Sequence, residues 1–319
     1  LGAEAVIYTA HHDHLGTAES AEGEDAIYNG ALDNASGTSV VLSLARAFSA
    51  LPEPPRRSVL FLFVAAEEQG LLGSAYYARH PSIEPGRIAV NINVDGANIL
   101  GRTHDVTYVG YGKSDLDAVV EAYAALQGRR VNPDQFPDRG FFYRSDQFNF
   151  AKIGVPAIYL DHGLDFVDRP EGWGREQADA WTEKHYHQPS DELQDDWNYE
   201  GMIEDAQLVF QIGVHLADAA QMPGWNPGDE FEAARLSARG YRATLQAVMT
   251  VQSVLAVALF AGTGRITATV LTIVVASVPA VVLGWNLGER VFRRLSPEAV
   301  RRVVLGALLI NGVVLIVAA

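Results

Sequence analysis

Acidic and imidazole side chains cluster in this sequence where apolar, strand-like runs end and where a helical run begins. In chain order the clusters are His11-His12-Asp13-His14, Asp33-Asn34, Glu67-Glu68, Asp95-Gly96 and His185-Tyr186-His187. In open α/β sheets, binding sites form at the carboxyl ends of the strands. The chain has no cysteine, so a metal bound here must be held by His, Asp and Glu. The residue types and their order predict a metal site assembled from several segments.

Each cluster is ambiguous when it is taken alone. Asp33 precedes a helical run, where the ordinary role of Asp is an N-cap. Glu67 and Glu68 would usually be a solvated pair, but they directly follow the run SVLFLFVAA, which is too apolar to be exposed. Two adjacent carboxylates at the mouth of a buried strand repel each other unless a cation lies there. The ordered set is therefore a more specific signal than any of its members.

The elements that must position these clusters alternate between strand-like and helical runs, which is typical of a mainly parallel sheet flanked by helices. The predicted buried strands are Ala5–Ala10, Ser58–Ala65, Ile88–Val94 and Pro156–Leu160. The predicted helices are Thr38–Leu51, Leu71–Ala78, Ser114–Gln127 and Tyr199–Gln221. We therefore expect an α/β fold with three layers (α/β/α) around a mixed, mostly parallel sheet.

Charge is distributed unevenly along the chain. The formal net charge is −15, and the segment from Tyr241 onward holds seven Arg and two Glu, so residues 1–240 carry −20. A strongly acidic body argues against a nucleic-acid partner, because binding phosphate requires a basic face. It is compatible with the binding of cations.

The composition becomes apolar after residues 231–243, which we interpret as a linker between a domain over residues 1–230 and a tail over 244–319. Three tail segments, Leu245–Ala261, Ile266–Leu287 and Val303–Ala319, each approach the roughly 20 residues that a helix needs to cross a bilayer. We predict an all-α, membrane-like tail and membrane association. The alternative is a second soluble helical domain.

Six stretches of the sequence resemble the di-zinc aminopeptidases of metallopeptidase family 28. They are AHHDHLG (10–16), GALDNASG (30–37), AAEEQGLLGS (65–74), NVDG (93–96), RSDQFNFAKIGVPAIYL (144–160) and YHQPSDEL (186–193). The resemblance extends from residue 1 to about residue 235. It implies a zinc-exopeptidase fold, two Zn²⁺ ions per chain and a peptide substrate.

The resemblance also implies how five residues share the two metal ions. His11 and Asp95 would bind one zinc ion, Glu68 and His187 the other, and Asp33 would bridge the two. The chemistry of the residues agrees, because two neighbouring cations require anionic ligands to relieve their repulsion. A water between them would have a lowered pKa.

Three further residues take catalytic roles by the same resemblance. Glu67 would be the general base, passing a proton from water to the leaving amine. Asp13 would orient His11, and Tyr186 would stabilise the developing oxyanion. The peptide bond between Asp33 and Asn34 would be cis.

The substrate-binding candidates are Asp146, Phe142 and Tyr143. Asp146 precedes a helical run, where a helix cap or a loop anchor is the alternative role. Phe142 and Tyr143 would form an apolar wall for the first side chain of the substrate, or would pack in the core. We interpret His12 and His14 as non-ligands, because the His-x-Asp spacing selects the first histidine of the cluster.

The two ends of the chain depart from the family pattern. The first His motif comes only ten residues in, so we expect the sheet to lack an edge. The tail resembles the C-terminal end of sulfite-exporter-like membrane permeases. Family resemblance places the peptidase outside the cytoplasm, whereas the arginines between 290 and 302 place it inside by the positive-inside rule.

Four other functions remain open from the sequence. A carboxypeptidase would need basic residues for the substrate carboxylate, and Arg139 and Arg144 are the nearest candidates. A glutaminyl cyclase would use one metal, against the five ligands here. A non-catalytic receptor module would have lost ligands or the base. Transport by the tail would need more helices than this chain has. The sequence does not indicate an oligomeric state.

Overall fold

The computed structural model describes residues 3–19 and 25–235. The chain divides into two units, Leu1–Arg242 and Ala243–Ala319. The predicted tail lies outside the described residues, so its helices and its membrane association stay predictions. Among the residues that the structure does describe, no helix has the length and apolar character needed to span a bilayer.

Eight strands and six α-helices build the described part of the chain. The strands are β1 (Ala5–His11), β2 (Gly16–Thr17), β3 (Ile27–Tyr28), β4 (Ser58–Val64), β5 (Ile88–Asn93), β6 (Asp105–Val109), β7 (Arg130–Pro133) and β8 (Ala157–His162). The helices are α1 (Gly37–Ser49), α2 (Leu72–Arg79), α3 (Leu116–Leu126), α4 (Gln147–Ala151), α5 (Trp173–Lys184) and α6 (Glu200–Asp218).

Six strands form one sheet in the order β4-β1-β5-β8-β6-β7. Strand β1 is parallel to both β4 and β5, β5 is parallel to β8, and β6 is parallel to β7. Only the β6–β8 pair within this sheet is antiparallel. The prediction of a mixed, mostly parallel sheet is therefore confirmed.

Alternation along β1 gives the sheet two apolar faces. Val6, Tyr8 and Ala10 pack into the larger core with apolar residues of α1, α3 and α6. Ile7 points into a second apolar cluster, which contains Phe150 of α4. Because successive strand residues point to opposite faces, one strand contacts helices on both sides of the sheet. The result is a helix–sheet–helix arrangement.

Strand β4 differs from the prediction of a buried strand. It pairs with β1 on one side and is an edge of the described sheet, so five of its seven residues are only half-buried. Strands β1 and β5, which have neighbours on both sides, are buried throughout. The parallel order of β4, β1 and β5 brings their carboxyl ends to one edge, where the predicted site clusters lie.

Candidate metal centre

His11 is the last residue of β1, and its side chain is only 1% exposed. Its Nε2 atom lies 3.1 Å from Oδ1 of Asp33 and 3.1 Å from Oδ1 of Asp95. Asp33 belongs to the turn before α1, and Asp95 follows β5. The structure thus brings together three predicted ligands that are far apart in the sequence.

The remaining two predicted ligands meet on the other side of Asp33. Nε2 of His187 lies 2.9 Å from Oε2 of Glu68 and 3.5 Å from Oδ2 of Asp33. The two carboxylate oxygens of Asp33 therefore face different histidines, Oδ1 toward His11 and Oδ2 toward His187. A carboxylate in this position can bridge two cations.

The polar atoms of this cluster fit metal ions better than they fit one another. Nε2 of His187 and Oε1 of Glu68 are buried, and neither has a hydrogen-bond partner of good geometry among the described residues. Ligand atoms of His11, Asp33 and Glu68 all lie within 4.8 Å of one another. Imidazole nitrogens and carboxylate oxygens are the ligands that zinc takes in a chain without cysteine. The five residues can therefore hold the metal that the site chemistry implies.

Burial and close contact shift the titration of these groups. Burial lowers the pKa of His11, but its contacts with Asp33 and Asp95 outweigh that effect and raise the pKa to about 12. Burial raises the pKa of Asp33, but His11 and His187 together hold it well below its usual range. The metal-free site thus holds protons on its imidazoles, where a cation would otherwise balance the carboxylates.

Glu67 has a different environment from its neighbour Glu68. It is 8% exposed, and burial, reinforced by the charge of Asp95, raises its pKa to about 9. Ala66 before it has a φ of 55°, a left-handed conformation that is rare for a residue with a side chain. Both Glu67 and Glu68 line the same cavity. A buried carboxylate with a raised pKa in a cleft is suited to taking up a proton.

The carboxylate of Asp13 contacts the turn before Glu67 rather than the ring of His11. Its Oδ2 accepts the N–H of Ala66 at 2.7 Å, which supports the left-handed turn before Glu67. The ring of His11 instead has its Nδ1 3.0 Å from the backbone carbonyl of Asp13. The contact of Asp13 with the ring of His11 therefore comes from its main chain and not from its carboxylate.

The turn that carries Asp33 is fixed by several hydrogen bonds. The Asp33–Asn34 peptide bond is cis, as predicted. The buried side chain of Asn34 accepts the N–H groups of Gly37 and Gly96 at 3.0 and 2.9 Å, and donates to the carbonyl of Val94 at 3.0 Å. Asp33 is no helix cap, because its carboxylate faces the two histidines.

Sequence reasoning missed two residues that hold the ligands. The carboxylate of Asp191 accepts the N–H groups of Leu32 and Asp33. The hydroxyl of Ser145 donates to Oδ2 of Asp95. Both belong to segments that resemble the family, but nothing in their local sequence distinguishes a support of this kind from an ordinary loop residue.

Tyr186 lies beside the cluster. Its ring stacks on His187 with centroids 3.8 Å apart, and its Oη accepts a long hydrogen bond of 3.5 Å from Arg144. Burial, assisted by the charge of Asp33, raises the pKa of Tyr186. The phenol therefore keeps its proton at neutral pH and can act as a donor.

The three predicted substrate-binding residues lie in different places. Tyr143 lines the cavity that contains the ligands. Phe142 is 5% exposed and packs in a separate apolar cluster with Trp225 and Phe231, which is the core role that the sequence left open. Asp146 is 1% exposed, and its Oδ1 accepts the hydroxyl proton of Ser74 at 2.5 Å, so it anchors a loop to α2.

Two cavities adjoin the cluster. The ligand cavity has a volume of about 820 Å³ and an acidic floor formed by Asp33, Glu67, Glu68 and Asp95. A smaller cavity of about 420 Å³ shares Leu32, Phe141 and Trp181 with it. The two cavities therefore adjoin each other beside the acidic cluster.

The fold and the cluster define the class of protein. A mostly parallel sheet with a His, Asp and Glu cluster at its strand ends, beside a buried free carboxylate, is the arrangement of a metallopeptidase. The family model named Peptidase family M28 matches residues 2–211, and the chain belongs to this family.

The chain is also similar, over part of its length, to two other proteins. Over 202 residues it is 39% identical to aminopeptidase YwaD of Bacillus subtilis, a match covering 60% of this chain and 36% of that protein. Over 214 residues it is 29% identical to leupeptin-inactivating enzyme 1 of Streptomyces exfoliatus, a match covering 65% of this chain and 46% of that protein. The chain spans less than half the length of these two relatives.

A solved structure shares the fold. The structure of the LapA aminopeptidase of Legionella pneumophila matches with a TM-score of 0.52 at 22% identity, covering 69% of this chain and 53% of that one. At this identity the likeness concerns the fold alone.

Proposed function

We propose that this protein is an aminopeptidase that uses two zinc ions to remove N-terminal residues from peptides. The observation that carries the proposal is the position of Asp33, whose two oxygens face His11 and His187 on opposite sides. The names of the relatives support the choice of an aminopeptidase. His11 and Asp95 would hold one ion, Glu68 and His187 the other, with Asp33 between them.

Bound there, the ions would supply Lewis-acid activation of a water molecule and of the peptide carbonyl. Glu67 is the group on this chain that moves the proton. Its carboxylate lines the ligand cavity without being one of the five ligands, and its raised pKa favours proton uptake. The same group then delivers the proton to the nitrogen of the leaving amine.

Tyr186 supplies a hydrogen-bond donor where negative charge develops on the carbonyl oxygen. Stacking on His187 holds the phenol beside the metal ligands, and its raised pKa keeps the hydroxyl protonated. A fixed donor of this kind stabilises the transition state more than the ground state.

The surroundings of the cluster favour a free N-terminus over a C-terminus. Four carboxylates line the floor of the ligand cavity and attract an α-ammonium group. The smaller cavity, lined by Leu32, Phe141 and Trp181 together with several charged residues, can take the side chain of the first residue. A carboxypeptidase would need cations here, but Arg139 pairs with Asp179 at 2.7 Å. Arg79, Arg144 and Lys152 line the ligand cavity, and these cations keep this second function open.

The test is a comparison of matched peptides with zinc-loaded full chain. Each peptide is prepared with a free and an acetylated N-terminus, and separately with a free and an amidated C-terminus. We expect cleavage only where the N-terminus is free, regardless of the C-terminal group. Cleavage that instead requires a free C-terminus would identify a carboxypeptidase. Absence of cleavage with two metal ions bound would contradict both functions.

A further inference from the structure

His14 contacts the metal cluster although the His-x-Asp spacing does not select it. Its side chain is 5% exposed, and its Nδ1 lies 2.8 Å from Oε1 of Glu68. The other oxygen of Glu68, Oε2, lies 2.9 Å from Nε2 of His187. Each oxygen of this carboxylate therefore faces a different imidazole.

The backbone leaves room for the His14 ring at one specific place. Gly30 has a φ of 61°, and a Cβ atom built on it would lie 2.7 Å from Cγ of His14. The ring also meets His187 edge-on, with centroids 5.6 Å apart. A glycine in a left-handed turn and a second imidazole thus enclose His14 beside Glu68.

Packing alone does not explain this contact. Within the described residues, neither ring nitrogen of His14 nor Oε1 of Glu68 has a hydrogen-bond partner of good geometry, and all three atoms are buried. Buried polar groups are almost always satisfied, and an unsatisfied one is costly. The 2.8 Å approach places Nδ1 of His14 against the oxygen of Glu68 that does not face His187.

We propose that His14 is a positioning residue, which fixes the carboxylate of Glu68 so that its other oxygen is presented to the metal ion shared with His187. An imidazole N–H that donates to Oε1 restricts rotation of the carboxylate group. Oε2, which faces His187, is then left for the metal. This inference rests on the proposed metal centre.

The expected effect is on metal affinity at one of the two positions. Loss of an outer partner of a metal ligand lowers affinity or activity by about 10–100-fold. His14→Ala should therefore weaken binding of the ion held by Glu68 and His187 by about that factor. The ion held by His11 and Asp95 should be retained.

The test is titration of the metal-free full chain with Co²⁺, followed by calorimetry and by the visible absorption of each bound ion. His14→Asn is the second variant, because its side-chain amide can donate from nearly the position of Nδ1. We expect Asn to restore most of the affinity that Ala loses. His80→Ala, an exposed histidine at the end of α2, is the matched control. Thermal unfolding of the metal-free variants checks that each one folds.

Two results would overturn the proposal. Wild-type affinity in His14→Ala would show that Glu68 does not need this partner. Equal loss of metal affinity in His14→Ala and His14→Asn, with a change in the visible absorption of the more weakly bound ion, would indicate that His14 is itself a metal ligand. Metal affinity is measured without turnover, so these results can be distinguished from a failure of the proposed aminopeptidase activity. If the wild-type chain binds no metal, the metal centre itself is contradicted.

Discussion

The carboxylate of Asp191 accepts the backbone N–H of Asp33, with Oδ2 3.1 Å from the nitrogen. Its Oδ1 accepts the N–H of Leu32 at 2.8 Å, and its own carbonyl accepts the N–H of Ala31 at 3.1 Å. Asp191 follows His187 by four residues in the same segment. It therefore joins the segment that carries one ligand to the turn that carries the bridging ligand.

Asp191→Asn should weaken binding of the ion shared by Asp33 and His187. The amide of Asn can accept with only one atom, so one of the two N–H groups loses a charge-assisted partner, a change of about 1.5–3 kcal/mol. We expect metal affinity to fall by roughly 10–100-fold, measured by competition with a chelator. Asp195→Asn, an exposed change in the same segment, should bind as wild type. Equal affinity of both variants would exclude the tethering role.

Glu67→Gln should abolish most of the turnover and leave metal content unchanged. Glutamine keeps the size of the side chain but cannot take up a proton. We expect kcat on a leucine anilide to fall by about 10²–10⁴-fold, the usual contribution of a general base. KM should change little, because Glu67 is not proposed to bind the substrate. A variant with wild-type kcat and two bound metals would refute the assignment of the base.

Patterns of residues gave the main elements of this fold because their signals are local. Four predicted strands and four predicted helices correspond to β1, β4, β5, β8 and to α1, α2, α3, α6. Strand β6 was missed because Asp105–Val109 is short and carries polar residues. Helix α5 was missed because Trp173–Lys184 is mostly polar, without a clear apolar stripe.

The site could be predicted as far as motif positions determine it. The cluster of His11, Asp33 and Asp95 follows from the motifs that resemble the family, of which two lie at the ends of β1 and β5 and one lies before α1. The residues that hold the ligands in place could not be predicted in this way, because each acts through a contact between distant segments. Asp191 and Asp33 are 158 residues apart, and Ser145 and Asp95 are 50 apart. Only the folded chain shows which polar residue meets which ligand.

Tyr186→Phe should lower kcat and leave metal binding intact. Phenylalanine keeps the stacking on His187 but removes the proposed donor to the oxyanion. Loss of one such donor typically costs about 10²–10³-fold in kcat. Tyr143→Phe is the matched control, because Tyr143 lines the same cavity and its hydroxyl instead donates to Glu230 at 2.8 Å. If both variants lose the same activity, the effect belongs to the cavity wall and not to a specific donor.

The metal-free chain should lose stability as the pH rises from 6.5 to 9. In the folded state the pKa values of Glu67 and His187 are both raised to about 9, from 4.5 and 6.5, and that of His11 is raised from 6.5 to about 12. The folded chain therefore binds protons that the unfolded chain has released in this window, so the free energy of unfolding falls with increasing pH. The lowered pKa values of Asp33 and Glu68 act only at more acidic pH.

Zinc should reverse this trend, because metal ions bind the deprotonated ligands and replace their protons. Thermal unfolding measured with and without zinc should show a larger increase in Tm at pH 8.5 than at pH 6.5. Glu67→Gln should make the metal-free profile less steep, since it removes one of the groups that hold a proton in the folded chain in this window. A constant zinc-induced shift across the range would show that proton and metal binding at the cluster are not linked.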